Sequence, residues 1–309
     1  MAQTTLKSAK KRQYTPKLAR QIKEKIIEVI LFLAAFSSVA TTVAILYLLI
    51  NESALFFRQV PLFDFLTGTK WTPMFTNPKY GILPLLSGTL VSSAVALLVA
   101  IPLGTIAAIY LSEFANSRVR EILKPALELL AAIPTVVYGY FALLYVTPWL
   151  QTIFPNLPGF NILSAGLVMG LMIMPFISSI SEDAMSAVPV GLKEGSYAMG
   201  ATKLQTTLKV VFPAAISGIS SSYILGTSRA VGETMIVAIA AGLRPNLTWN
   251  PLDQAATITA YIVQVSLGDL PHGTVAYETI FAAGLTLVLM TLALNIVGHF
   301  LAKKYREIY

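Results

Sequence analysis

Cysteine is absent from the 309 residues and histidine occurs twice. The first absence excludes a disulfide framework, a thiolate metal site and a catalytic thiol. The second argues against a histidine-based metal cluster, since His272 and His299 stand far apart in the chain. Charge is also scarce: Asp, Glu, Lys and Arg make up 12% of the residues, about half the ~25% of an ordinary soluble domain. No Gly-x-x-x-x-Gly-Lys-Ser/Thr loop occurs, so the chain is expected to bind no cofactor and to hydrolyse no nucleotide itself. Internal repeats and low-complexity tracts are missing too. What fills the chain is apolar: 55% hydrophobic residues and a mean hydropathy of +0.70. The composition is that of an integral membrane protein.

Six apolar segments are marked, near 29–50, 85–111, 126–150, 162–181, 214–242 and 279–301. Each reaches the roughly 20 residues that cross a ~30 Å hydrocarbon core. Six crossings put both ends of the chain on one side. Seventeen of the 22 basic residues then fall on that side: eight in the tail from Lys7 to Lys25, and three each in the second loop, the fourth loop and the C-terminal end. The positive-inside rule makes that side cytoplasmic. The net charge of +7 is thereby accounted for by topology, and no nucleic-acid partner is expected. Residues 1–25 read as a basic tail, disordered over 1–15, with Leu18, Ile22 and Ile26 at the spacing of a surface helix. Residues 26–309 read as one all-α transmembrane domain.

The run AATITAYIVQVSL, within 253–269, raises the possibility of a seventh crossing. At 13 residues it is too short, and it would carry Lys303, Lys304 and Arg306 to the wrong side. It is expected to be a helix lying at the outer surface. Pro102, Pro134 and Pro175 each interrupt a span and are expected to kink it. Gly166 and Gly170 form a small-residue packing motif.

The fifth span contains SRAVGETM, Ser228 to Met235, and so two opposite charges at mid-depth. Each costs about 2.5–3.5 kcal/mol on insertion scales. On a continuous helix, Ser222, Gly226, Arg229 and Glu233 share one face, and Gly218, Ser222 and Gly226 make a small-residue ladder for helix packing. At i, i+4 the guanidinium and carboxylate can meet. Two readings stand: a buried ion pair that fixes packing, or a pathway in which Arg229, on the inward stripe and steadied by Glu233, meets a passing anion. An arginine fork suits an oxyanion, with two parallel charge-assisted hydrogen bonds. Ser228 is a further polar contact on that route. The residues alone leave open a permease for one of several oxyanions, a stand-alone secondary transporter, and a membrane enzyme using Glu233 as a base.

The fourth loop, within 182–213, carries the sharpest motif: EGSYAMGATKLQTTLKVVFP, Glu194 to Pro213. Leu192–Met199 reads as a short helix, Gly200 as a turn, and Thr202–Val211 as a second helix stopped before Pro213. The spacing of Glu194, Gly200, Val210, Phe212 and Pro213 resembles the EAA loop of bacterial ABC importer permeases, with Gly195 and Ser196 where two alanines are usual. YGILPLLSGTL (80–90), ELLAAIPTVVYG (128–139), GATKLQTTLKVVFPAAISGI (200–219), GTSRAVGETMIVAIAAG (226–242) and TITAYI (257–262) extend the likeness over most of 29–309. Together they are similar to the phosphate-specific permease of PstC type.

This resemblance implies a MetI-like bundle of six transmembrane helices with both termini cytoplasmic, forming half of an alternating-access pathway for inorganic phosphate in the bacterial inner membrane. It implies an ATPase-coupling surface within 190–213 that includes Glu194, Gly195, Ser196, Ala198, Gly200, Ala201, Val210, Phe212 and Pro213. It implies a charged pair, Arg229 and Glu233, used in phosphate passage. The implied partners are a PstA-type permease, two PstB-type ATPases that hold the ATP and magnesium, a periplasmic PstS-type phosphate-binding protein, and membrane lipid. Sulfate or molybdate is the nearest alternative cargo.

Overall fold

The computed structural model describes residues 17–268, 271 and 273–304; the tail 1–16 and His272 lie outside the described residues. Twelve helices occur among them, with one isolated antiparallel bridge, Trp71 to Tyr80. The chain divides into two compact units, residues 1–50 and 51–309. In the first, the described residues belong to one helix, α1 (Lys17–Gln59). The surface helix expected around Leu18–Ile26 is therefore continuous with the first span. Thr41 and Thr42 return their hydroxyls to Ser37 O and Ser38 O at 2.9 and 3.0 Å, which satisfies them inside an apolar stretch.

The second unit begins with the end of α1 and continues through α2 (Leu62–Thr67) and α3 (Leu83–Phe114), whose last turn, Tyr110–Phe114, is π-helical. Then come α4 (Ser117–Ala132), α5 (Thr135–Ile153), α6 (Ile162–Ser186), α7 (Val190–Ala198), α8 (Lys203–Ala214) and α9 (Ile216–Val231). Last are α10 (Met235–Ala240), α11 (Ile258–Ser266) and α12 (Val275–Lys304). Four stretches are long and apolar enough to cross a membrane singly: Arg20–Gln59, Leu83–Phe114, Ile162–Ser186 and Val275–Phe300. Two bent pairs, α4–α5 and α8–α9, raise the number to six.

The bent pairs alter two of the expected spans. The third, 126–150, is not one straight helix but takes in parts of two helices that meet at a bend. Pro134 separates α4 from α5 by 86°, because the residue before proline is driven to extended backbone; Ile133 has ψ 131°. The part after the bend is Thr135–Ile153, and α4 before it is strongly amphipathic; the two are apolar enough to count as one span only together. Pro134 thus ends a helix where a kink was expected, while Pro102 and Pro175 lie inside continuous helices. The second junction is at Ala215, where α8 and α9 meet at 70°. Pro213 does not stop the preceding helix: the π turn Thr207–Val211 carries it through to Ala214, so the missing proline N–H costs no regular i to i−4 bond.

Close approach holds the bundle together. A Cβ on Gly166 would lie 2.6 Å from Val95 Cγ1, and one on Gly170 would lie 2.7 Å from Ala96 O. These two glycines let α6 pack directly on the backbone of α3, where dispersion replaces the hydrophobic driving force that lipid does not supply. Met169, Met172 and Ile173 fill the same core.

The 253–269 segment, expected to lie as a helix at the outer surface, is covered by other parts of the chain over much of its helical length. Its helical part, α11, is nine residues long, too short to cross, and Ile258, Tyr261 and Val265 are buried against Phe56, Phe65, Trp71 and Ile82. Ile258 N donates to Thr89 Oγ1 at 3.1 Å, fixing the start of α11 to α3. Trp71 meets Tyr261 edge-on with centroids 5.0 Å apart. Burial pushes the Tyr261 phenol up to about 12, and it pairs with Thr279 Oγ1 at 2.6 Å. A helix was expected within this run, and Ile258–Ser266 is one. Which side of it is covered depended on an aromatic cluster gathered from residues 56–80.

Candidate functional site

The fifth span is discontinuous at the site. Helix α9 ends at Val231, and Gly232, Glu233 and Thr234 separate it from the six-residue α10. Ser222, Gly226 and Arg229 lie on α9, but Glu233 lies beyond its end, so the i, i+4 relation expected for Arg229 and Glu233 does not hold. Among the described residues none of the five ion pairs includes either side chain. Glu233 Oε1 instead accepts from the backbone N–H groups of Met235 and Ile236 at 3.0 and 3.2 Å. These are donors that a helix leaves unsatisfied at its start. The Glu233 carbonyl is held from outside the span, by Thr259 Oγ1 of α11 at 2.6 Å.

Arg229 is on the last turn of α9, about 20 Å along the axis from Ile216 at 1.5 Å per residue. Its side chain is exposed, and its guanidinium stands 5.7 Å from the centroid of the Phe176 ring on α6. A cation over a ring face gains about 0.5–1 kcal/mol when exposed, and the negative end of the α9 dipole adds a similar amount. Both contacts leave the hydrogen-bond donors of the fork unused. The charge is therefore tolerated without being neutralised. Ser228 Oγ lies 2.7 Å from Asn295 Oδ1 of α12 and 3.1 Å from Ile224 O, joining α9 to α12 beside the arginine.

The ladder of small residues faces α6. Ser222 Oγ and Ser181 Oγ are 2.8 Å apart, and a Cβ on Gly226 would lie 3.0 Å from Ile177 Cδ1. On Gly218 it would lie 2.5 Å from Ala184 Cβ.

The loop within 190–213 forms two helices on either side of a sharp turn, with Gly200 at φ +83°; only glycine adopts that conformation freely. Thr202 and Gln205 then form a reciprocal capping box that starts α8, and Ser196 Oγ meets Thr206 Oγ1 at 2.9 Å, pinning α7 to α8. Glu194, Gly195, Ala198 and Gly200 are exposed, as are Tyr197 and Met199, while Ser196, Ala201, Val210, Phe212 and Pro213 are half-buried. Nothing lies within 4 Å of a Cβ built on Gly195. The loop is a short, tied knob with an open face.

Several residues of this architecture escape sequence reasoning. Glu182 is 3% exposed and pairs with Arg120 and with Lys124, the latter at 2.6 Å; Lys124 also reaches Asp183 at 3.0 Å. This cluster ties α4 to the C-terminal end of α6. Glu182 sits where a span is expected to end, and its partners are about sixty residues earlier. Asn295, Thr259 and Phe176 were likewise unmarked. A polar residue inside an apolar run was the one available signal, and it applies to Asn295 alone.

A family model described as "Binding-protein-dependent transport system inner membrane component" matches residues 100–307. The chain is 34% identical over 299 residues to "Probable ABC transporter permease protein YqgH" of Bacillus subtilis, covering 96% of each chain. It is 34% identical over 261 residues to "Phosphate transport system permease protein PstC" of Mesorhizobium japonicum, covering 77% of this chain and 78% of that one. A third relative, "Probable phosphate transport system permease protein PstC" of Methanocaldococcus jannaschii, is 31% identical over 247 residues, with 74% and 77% covered. Among solved structures, a bacterial alginate ABC transporter with its periplasmic protein superposes with a TM-score of 0.63 over 91% of this chain and 96% of that chain, at 17% identity. The inward-facing MetNI methionine transporter gives 0.54 over 74% and 95%, at 20%. At such identities the structural likeness establishes the fold alone.

Proposed function

Because this chain belongs to the family of binding-protein-dependent transport system inner membrane components, multi-pass permeases of the inner membrane, we propose that it is the PstC-type half of an ATP-driven importer of inorganic phosphate. The observation that carries the reading is the exposed, carboxylate-free guanidinium of Arg229 at the break of the fifth span. An arginine fork with unused donors attracts a tetrahedral oxyanion, and the absence of an enclosing cage keeps the anion from being held too tightly to leave. Relatives named for phosphate transport support the choice of cargo.

The rest of the machine follows from this role. A PstA-type permease completes the pathway beside Arg229, Glu233 and Ser228. A PstS-type protein delivers phosphate on the outer loops, and both termini lie in the cytoplasm. Two PstB-type ATPases, holding ATP and magnesium, dock on the knob at Glu194–Pro213. The chain catalyses no reaction of its own; its cycle is a change of access.

Uptake of labelled phosphate by a strain lacking its own importer and supplied with this chain and its partners tests the reading. Uptake should require ATP and resist excess sulfate and molybdate. Displacement by either competitor transfers the reading to that oxyanion. Transport without the ATPases overturns the ABC assignment.

A further inference from the structure

The knob formed by α7 and α8 does not touch the bundle through apolar packing alone. Each of its helices lays one lysine on the π-helical turn that closes α3. Lys193 Nζ of α7 lies 2.6 Å from Glu113 Oε1, and Lys203 Nζ of α8 stands 5.2 Å from the centroid of the Phe114 ring. The two acceptors are consecutive residues. Glu113 is 6% exposed and Lys193 19%, so their attraction escapes most screening by salt. Ser112 Oγ donates to the same carboxylate oxygen at 2.9 Å. Beneath them Ala108, Met185, Val211 and Ile219 form one apolar cluster, which gives the joint a stiff floor.

From α3 a second polar contact leads onward. Thr105 Oγ1 and Tyr223 Oη are 2.6 Å apart, and Tyr223 is on α9, six residues before Arg229. We infer that the Lys193–Glu113 ion pair, seconded by Lys203 over Phe114, is the joint through which movement of the α7–α8 knob reaches α3 and, by the Thr105–Tyr223 hydrogen bond, the helix that carries Arg229. The inference rests on the knob being the ATPase-docking element. Lys193, Glu113, Lys203 and Phe114 are positioning residues; none of them touches the anion. A contiguous chain of short polar contacts on rigid helices is the physical means by which such coupling travels. A salt bridge suits the task because removing either partner strands a buried charge.

The complete importer, reconstituted in proteoliposomes, gives the decisive quantity: phosphate carried per ATP hydrolysed. Misassembly lowers both terms, whereas a broken joint lowers their ratio. Lys193→Gln and Glu113→Gln should each reduce the ratio about tenfold, in line with the loss of one partner of a desolvated pair. The exchange of charges, Glu113→Lys with Lys193→Glu, should restore it to within about threefold, and Phe114→Leu should cost about two- to threefold. An unchanged ratio in both single variants overturns the inference. So does an exchange variant that assembles normally yet stays as uncoupled as the single ones. Where a single variant fails to assemble, the exchange variant decides by the same ratio. A wild-type complex that carries a different oxyanion defeats only the choice of cargo, and the ratio is then measured with that anion. ATPases that bind without contacting Glu194–Pro213, shown by cross-linking from cysteines placed in this cysteine-free chain, defeat the underlying reading.

Discussion

Arg229 and Glu182 are both ionised side chains on helices that cross the membrane, and their surroundings are opposite. Glu182 is buried, with Arg120 and Lys124 on its two oxygens. Arg229 is exposed on the single chain and has only an aromatic face beside it. A charge saturated by its own chain has little left to offer a ligand, and its loss harms the fold. A charge left unsatisfied contributes little to the fold and keeps its capacity for an anion. Mere presence of a charge in a span therefore does not mark a pathway. What marks it is the missing partner.

The comparison breaks most visibly at Arg229. Arg229→Gln should lower phosphate uptake at least about 100-fold, the loss of roughly 3 kcal/mol expected when one member of a desolvated charged contact is removed, while co-purification of the complex stays normal. Uptake near the wild-type level would make the arginine a packing residue. Glu182→Ala should do the reverse. It strands two cations that are themselves about a third exposed, so a penalty of about 2–3 kcal/mol remains after hydration, read as a lower midpoint of thermal unfolding in detergent.

A purely steric change sharpens the contrast. Gly170→Ala forces a methyl to within 2.7 Å of Ala96 O and should destabilise by about 1–3 kcal/mol, with the remaining folded protein transporting normally. The smallest effect belongs to Glu233. Glu233→Ala removes a carboxylate from the start of α10 and should cost about 1 kcal/mol. The exchange Arg229→Glu with Glu233→Arg should rescue nothing, since the two side chains do not pair; recovery of uptake would restore the ion-pair reading.

Much of the architecture is legible in one dimension. The apolar runs at 85–111, 162–181 and 279–301 lie within α3, α6 and α12, since crossing a bilayer demands a long unbroken stretch and little else. The knob was legible as well, from Gly200 between two short helical stretches; the capping pair Thr202 and Gln205 that starts the second came only with the structure. Pro134 and Pro213 were visible as interruptions, but their consequences were not. One follows an extended residue and produced a sharp turn, and the other was absorbed by a π turn; the presence of proline alone does not say which. Glu233 misled for a similar reason. A helical wheel assumes a continuous helix, and this one ends at Val231, two residues before Glu233.

The sequence by itself determined that the chain lives in a membrane, roughly where it crosses, and which loop protrudes as a tied knob. These are sums over neighbouring residues, and hydropathy, charge bias and capping are properties of neighbours. Only the tertiary structure decided which charges are spent and which are free. Glu182 finds its cations across some sixty residues, Lys193 reaches back eighty to Glu113, and Arg229 has no ion-pair partner among the described residues. Pairing of that kind is set by which helix ends the fold brings together, and no local pattern encodes it.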